Sequence, residues 1–357
     1  MEEYNKYATL SSTITIEDIT PNKENQITLQ RLKDNDESLD SVHIMDERYD
    51  YHDFDNQYLY FSGEDMGWLG YYIGQNRELE ELHFVATIHV GSFYKEMSCN
   101  TSIEMIRFYQ IVLEGKVFRM MDSFLKSNSN LHKISIEECA LDADAIHQLS
   151  LAIGNCNQSL ERFSLQQNEI GDGNIVDVIT ALSMHSKLQK LKLADMGIGI
   201  NECRALSTLL CCESTQLKSL DLCDNNIDDE GMEVLVNGLT NVNTLQELHL
   251  SSNESITIKG WKSLSTLLEI PDSKLETLTI MQNNVGNDGA RVFANALANN
   301  STLKKLDLYY SDVYRGGWAS FSKLLCNTSS VNKTYLSNHT LQYIMGFPND
   351  VSNIRKG

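Results

Sequence analysis

One spacing recurs through most of the chain. Segments reading "LHKISIEEC", "LERFSLQQN", "LQKLKLADM", "LKSLDLCDN", "LQELHLSSN", "LETLTIMQN" and "LKKLDLYYS" begin at Leu131, Leu160, Leu188, Leu217, Leu245, Leu275 and Leu303, so successive starts lie 29, 28, 29, 28, 30 and 28 residues apart. A near-constant period of this length restricts the chain to a repeat architecture. Each copy is one supersecondary unit that cannot bury its apolar faces alone, and stacking neighbours buries them. Upstream, "IEMIRFYQI" at Ile103 keeps the frame, "LEELHFVAT" at Leu79 keeps it less regularly, and "LDSVHIM" at Leu39 reads as an atypical first unit. Downstream, "VNKTYLSNH" at Val331 keeps the spacing but carries Thr334 where an apolar residue is expected.

Each unit has two halves with different periods. The LxxLxL half turns alternate residues to one face, as a strand does. The second half carries apolar pairs four residues apart, which return to one side of a helix. These pairs are Leu149 and Ile153, Val178 and Leu182, Leu206 and Leu210, Leu235 and Leu239, Leu264 and Leu268, Phe293 and Leu297, and Phe321 and Leu325. The expected fold is an α/β solenoid, curved, with a parallel inner sheet and outer helices, and with no hinge between Leu131 and Leu325.

Three turns look alike: "LQQNEIGDGN", "LCDNNIDDEG" and "IMQNNVGNDG". The acidic copy, with Asp224, Asn226, Asp228 and Asp229 before Gly231, raises a calcium loop as a possibility. An EF-hand needs a bidentate Glu at its twelfth position, and counting from Asp224 that position is Leu235, a core residue. The frame fails. Asn168, Asn225, Asn253 and Asn283 instead lie eight residues after their starting leucines, where an amide can satisfy backbone groups that stacking removes from water. Cys139, Met196 and Ser311 hold the same place in other units. Gly231, Gly260, Gly289 and Gly317 sit near the helical starts, where a small residue allows close packing, and Asp228 or Asp229 can cap the following helix.

These segments resemble the leucine-rich repeat superfamily, in its ribonuclease-inhibitor-like branch with long helical repeats. The resemblance is strong from Ile103 to Leu325. "LSNHTL" from Leu336 to Leu341 is also similar to repeat proteins of unicellular algae. It implies a horseshoe that commonly binds proteins on its concave face. Ran GTPase activators and innate immune receptors share the scaffold, but this chain shows no nucleotide-binding module and no match from which a GTPase-activating residue transfers.

The formal charge of -20 opposes both phosphate backbones and anionic membrane surfaces, so neither nucleic acid nor direct membrane insertion is expected. The opening "MEEYNKYATLSSTITIEDIT" has no basic n-region or apolar h-region, and no stretch has the apolar length of a membrane helix; an intracellular, cytoplasmic location is expected. Eight cysteines, two of them the adjacent Cys211 and Cys212, read as reduced thiols. Sequons at Asn100, Asn157, Asn253 and Asn338 read as products of an Asn- and Ser-rich composition. No Gly-rich phosphate loop, HExxH helix, GxSxG elbow or deaminase signature is present, so no catalytic residue, metal or cofactor is expected.

Side chains two, four and six residues after a starting leucine should face the concavity. That count places Lys190 and Lys192 on a basic rung, then Ser219, Asp221 and Cys223, then Glu247, His249 and Ser251, then Thr277, Thr279 and Met281. Lys305, Asp307 and Tyr309 follow, with Tyr310 close by. Lys190, Lys192, Asp221, Glu247, His249, Asp307, Tyr309 and Tyr310 are therefore the candidate partner-binding residues. His249 with Asp221 and Cys223 offers too few ligands for zinc. The expected function is a noncatalytic protein-binding scaffold whose partner carries a basic patch for Asp221 and Glu247. The alternatives are a permanent subunit of a larger assembly, or an enzyme or GTPase-activator-like regulator. Residues 1–78 are expected to form an atypical repeat and cap with an acidic insertion, 79–330 the solenoid, and 331–357 the last strand and an irregular cap. The acidic aromatic stretch Asp34–Asp55, with Tyr49, Tyr51 and Phe54, and the apolar run Leu341–Phe347 are two further contact candidates.

Overall fold

A computed structural model describes residues 6–45, 58–61, 65–86, 91–171 and 174–346. The chain forms two compact units, Met1–Lys187 and Leu188–Gly357. Tyr49, Tyr51, Phe54 and Phe347 lie outside the described residues.

In the first unit, helix Lys23–Asp34 precedes strand Ser41–Met45, and helices Asp65–Gln75, Gly91–Met97, Gly115–Ser127, Ala143–Asn155 and Val176–Leu182 follow successive strands. The sheet runs Tyr58–Leu59, Ser41–Met45, Glu81–Val85, Met105–Tyr109, Lys133–Glu137, Arg162–Gln166, every pair parallel. Leu39, Leu79 and Ile103 thus start genuine strands. The N-terminal end is closed by aromatics: Tyr7 meets Trp68 edge-on at 4.9 Å and lies so close to Gly67 that a Cβ there would overlap its hydroxyl.

The second unit repeats one arrangement. Strands Lys190–Lys192, Ser219–Asp221, Glu247–His249, Thr277–Thr279, Lys305–Asp307 and Tyr343–Met345 pair in parallel, so residues at the same count from their leucines are neighbours across the sheet. Leu217, Leu220 and Leu222 are fully buried, as are Leu206 and Leu235 of the helical pairs. Burying that much apolar surface, at roughly 25 cal/mol per Å2, is the main force holding successive turns together.

The sequence frame fails at one place. Val331–Tyr335 is a short helix with Val331 89% exposed, and the last strand is Tyr343–Met345, following Leu341. The reason is chemical: Thr334 would put a hydroxyl beside Leu306, whereas the chain starting at the buried Leu341 places Ile344 there.

Polar ladders join the turns edge to edge. Asn225 accepts from Met196 N at 3.1 Å and Ile198 N at 2.9 Å and donates to Leu193 O at 2.9 Å. Asn253 accepts from Ile227 N at 3.1 Å and donates to Leu222 O at 3.0 Å, while Asn283 accepts from Asn253 N at 2.8 Å and donates to Leu250 O at 2.9 Å. Asn168 does the same for Cys139 N and Ile136 O. The structural role expected of these amides is what the geometry displays.

A second ladder is not among the sequence expectations. Asn76, Asn100, Asn128, Asn300 and Asn338 stand three residues before Leu79, Ile103, Leu131, Leu303 and Leu341, each reaching back to a carbonyl of the preceding turn. The recurring Asn-x-x-Leu/Ile is the signal that marks it, and Asn338 locates the last strand. Asn100, Asn253 and Asn338 are buried in these ladders, which removes their sequons from the folded surface.

The acidic turn has two capping roles. Asp228 accepts from Gly231 N at 2.8 Å and caps its own helix, Asp229–Leu239. Asp229 reaches the next helix, Ile258–Leu268, accepting from Thr257 N at 2.8 Å, Thr257 Oγ1 at 2.6 Å and Gly260 N at 2.8 Å. A Cβ on Gly260 would come within 2.7 Å of that carboxylate. Burial raises the pKa of Asp229, but the Thr257 and Gly260 hydrogen bonds and Lys259 outweigh it and the net shift is downward. A depressed folded pKa means the cap contributes fully above the ordinary Asp range and is lost as pH falls through the folded value. Asp229→Ala is therefore expected to cost about 1–2 kcal/mol near neutral pH. The gap between the urea midpoints of variant and parent should close as pH falls from the ordinary Asp range through the depressed folded pKa.

Candidate partner-binding face

In the second unit the sheet face turned away from the helices carries two registered rows. One row is Lys190, Ser219, Glu247, Thr277, Lys305 and Tyr343; the other is Lys192, Asp221, His249, Thr279, Asp307 and Met345. Strand alternation puts them there, because Leu191, Leu220, Leu248, Leu278 and Leu306 between them are buried. Lys190 and Lys192 are exposed, and Asp221, Glu247 and His249 are half-buried.

The charges on this face are unspent. The ion pairs Arg204 with Glu230, Arg291 with Asp288 and Lys304 with Glu276 all use residues outside the two rows. Among the described residues, Lys190, Lys192, Asp221 and Glu247 enter no ion pair, although Lys192 and Asp221 are register neighbours. Asp221 Oδ1 accepts from Cys223 N at 3.1 Å. Burial first, then Asp221, push the Cys223 thiol up to about 12, so it is neither a nucleophile nor a ready metal ligand. His249 Nδ1 lies 2.8 Å from Thr279 Oγ1, and among the described residues no cluster of three His, Cys, Asp or Glu forms a metal site.

Tyr309 and Tyr310 meet edge-on with ring centroids 4.3 Å apart and are 41% and 71% exposed. Asp307 departs from its expected place as a partner contact: it is only 4% exposed, between Thr279 and Met345, and accepts from Tyr309 N at 3.2 Å. Its carboxylate orients the turn that carries the tyrosines. The sequence count places Asp307 in this row, but it cannot foresee that strand Tyr343–Met345 pairs beside it.

In the first unit the same count yields residues not singled out from sequence. His43 and His83 stack at 4.2 Å, and His83 Nε2 lies 3.0 Å from Glu81. Burial and then the neighbouring His83 lower His43 to about 4; burial likewise lowers His83, opposed by Glu81 and reinforced by Arg107 and Lys133. Arg107 pairs with Glu137 at 2.6 Å and lies 4.8 Å from the Tyr109 ring. Carrying the count to Leu39, Leu79, Ile103 and Leu131 finds all of these.

Comparison with known proteins agrees with the geometry. The family described as "Leucine Rich repeat" matches at residues 213–236, 243–265 and 272–294. The chain is 29% identical to the pig ribonuclease inhibitor over 170 residues, 47% of this chain and 36% of that protein. It is 32% identical to cattle NACHT, LRR and PYD domains-containing protein 3 over 178 residues, 49% of this chain and 17% of that one. Protein CARMIL of Dictyostelium discoideum is 26% identical over 231 residues, 61% and 22% of the two chains. The matched stretches span less than half the length of each of these relatives. No helix among the described residues is long and apolar enough to cross a membrane. Leucine-rich repeat proteins commonly act as protein-binding scaffolds, and the repeated unit of this chain is the leucine-rich repeat in its ribonuclease-inhibitor-like form.

Proposed function

We propose that this chain is a noncatalytic protein-binding module that takes its partner on the concave, helix-free face of the sheet. The observation that carries the reading is the set of unpaired charges on that face, Lys190, Lys192, Asp221 and Glu247, ending at the exposed Tyr309–Tyr310 pair. A surface serving only solubility has no need of a half-exposed aromatic pair, whereas tyrosine buries ring area at a contact and keeps its hydroxyl satisfied. One relative is named for inhibiting a ribonuclease, which fits a scaffold that acts by contact. His249 supplies a polar rim contact, and Asp307 holds the tyrosine turn. On this reading residues 1–78 serve as an atypical first repeat and cap with an acidic insertion, 79–330 as the solenoid repeats, and 331–357 as the last strand and an irregular cap.

Hollows of about 340 Å3, lined by Gln110, Cys139 and Glu169, and about 460 Å3, lined by Glu269, Pro271 and Asn300, sit at turns rather than beside Asp221 and His249. Their position supports contact over catalysis. Pull-down with cross-linking supplies the partner. Tyr309→Ala is then expected to weaken the complex by roughly 1–3 kcal/mol, and Asp221→Lys to alter chiefly association rate and salt dependence. Calorimetry and stopped-flow binding at two ionic strengths check both; unchanged values in folded variants would move the interface elsewhere. A second reading, a permanent subunit, is favoured by Tyr343 and Met345, 63% and 38% exposed on the last strand. Native mass spectrometry of the protein from its source cell separates the two: a persistent monomer removes the subunit reading.

A further inference from the structure

The helix-free face of the first unit carries two cations that, among the described residues, have no carboxylate partner. Lys133 and Arg162 are directly registered across adjacent parallel strands, so two like charges stand about 4.8 Å apart at the backbone. Such a pairing destabilises a sheet unless an anion relieves it. Among the described residues neither enters an ion pair, and the nearby Glu137 is already held by Arg107 at 2.6 Å and by Ser135 Oγ at 2.5 Å.

A second observation points to the same place. Ser164, two residues after Arg162 on the same face and register partner of Ser135, is only 8% exposed, and among the described residues its Oγ has no hydrogen-bond partner. A buried hydroxyl left unsatisfied costs free energy that an incoming acceptor removes. The charge balance of the face agrees. Its registered rows carry three cations, Arg107, Lys133 and Arg162, against two carboxylates, Glu81 and Glu137, in a chain whose formal charge is -20. This strip therefore carries a net positive charge in a strongly acidic chain.

We infer that Lys133, Arg162 and Ser164 form a docking site for carboxylate side chains of an acidic protein segment. Arg162 supplies a planar fork for one carboxylate, Lys133 a point charge, and Ser164 Oγ a donor at the floor of the contact. A nucleic acid is the less suitable anion: two free cations neutralise few phosphates, and the overall negative charge repels the rest of a polyanion. The site extends the binding-module reading to a second surface, and its test is independent of Tyr309 and Asp221.

The probe is a fluorescent, end-blocked Glu-Gly repeat peptide titrated with the full-length chain. Measurements run at ~10 mM and ~150 mM salt, where the Debye length is about 30 Å and 8 Å. Binding by the parent should weaken with salt, and a Gln-Gly peptide should not bind. Arg162→Glu together with Lys133→Glu should lower affinity by at least about tenfold. Ser164→Ala should lower it by a smaller factor at both salt levels. Lys116→Glu with Arg119→Glu, the same charge change on an outer helix, should retain binding. Thermal melts establish that each variant is folded, and Arg162→Gln replaces the double variant if that one is not. Absence of parent binding at low salt, equal loss in the outer-helix control, or displacement of the peptide by a single-stranded RNA at lower concentration than by unlabelled peptide would each overturn the assignment.

Discussion

Trp261→Ala is expected to lower the stability of the second unit by about 4 kcal/mol. Trp261 is fully buried in helix Ile258–Leu268, its ring centroid 6.0 Å from that of Phe293 on the next helix, and its Nε1 donates to Asn284 O at 3.3 Å. Truncation removes the largest apolar surface at the junction of two turns, and a stack cannot collapse into the void without shifting every later turn. Ile258→Ala in the same helix is the control, because Ile258 is 36% exposed and should lose under about 1 kcal/mol. Urea unfolding followed by circular dichroism measures both. A Trp261 variant within about 1 kcal/mol of the parent would mean that the turns are not held by inter-helix packing.

Asn253→Ala is the second large effect, at about 3 kcal/mol, although it deletes almost no apolar area. The side chain is fully buried; it accepts from Ile227 N and donates to Leu222 O at 3.0 Å and to Leu250 O at 3.1 Å. Alanine leaves those backbone groups dry and unpaired. Asn253→Asp should be at least as damaging, because a carboxylate cannot donate to the carbonyls it faces. Asn226→Ala, at an exposed neighbour of the equivalent Asn225, should change stability by less than about 0.5 kcal/mol. Comparison of the urea midpoints decides whether the ladder or the leucines alone set the register.

The leucine frame and the Asn eight residues on are legible in the chain because both repeat with the period. A structural role is the simplest account of an amide that recurs at one turn. Asp229 is half legible. A cap is expected from its position, but capping the next unit's helix requires knowing how two turns stack, which no local motif encodes. Asp307 is misjudged from sequence for a related reason: its exposure depends on the strand at Tyr343–Met345, whereas the frame places the final unit at Val331. Lys133, Arg162 and Ser164 are reached by the same count of alternate residues once it is carried upstream of Leu188.

Where the chain turns out of the sheet, one non-glycine residue takes a left-handed conformation seven residues after the starting leucine or isoleucine. Ala86, Gln110, Glu138 and Gln167 do so in the first unit, and Asp195, Asp224, Ser252, Gln282 and Tyr310 in the second, with φ between 43 and 56°. The residue that follows is tied into the neighbouring turn by its side chain or backbone in the units with Asn168, Asn225, Asn253 and Asn283, so the backbone is fixed whatever side chain precedes it. Ala, Gln, Glu, Asp, Ser and Tyr all occupy the position. The position thus accepts side chains of several chemistries, and most of them are at the surface. Along this edge the chain can change what it presents, from acid to amide to aromatic, one turn at a time and without rebuilding its scaffold. An engineer wanting to redirect such a protein would begin with that row.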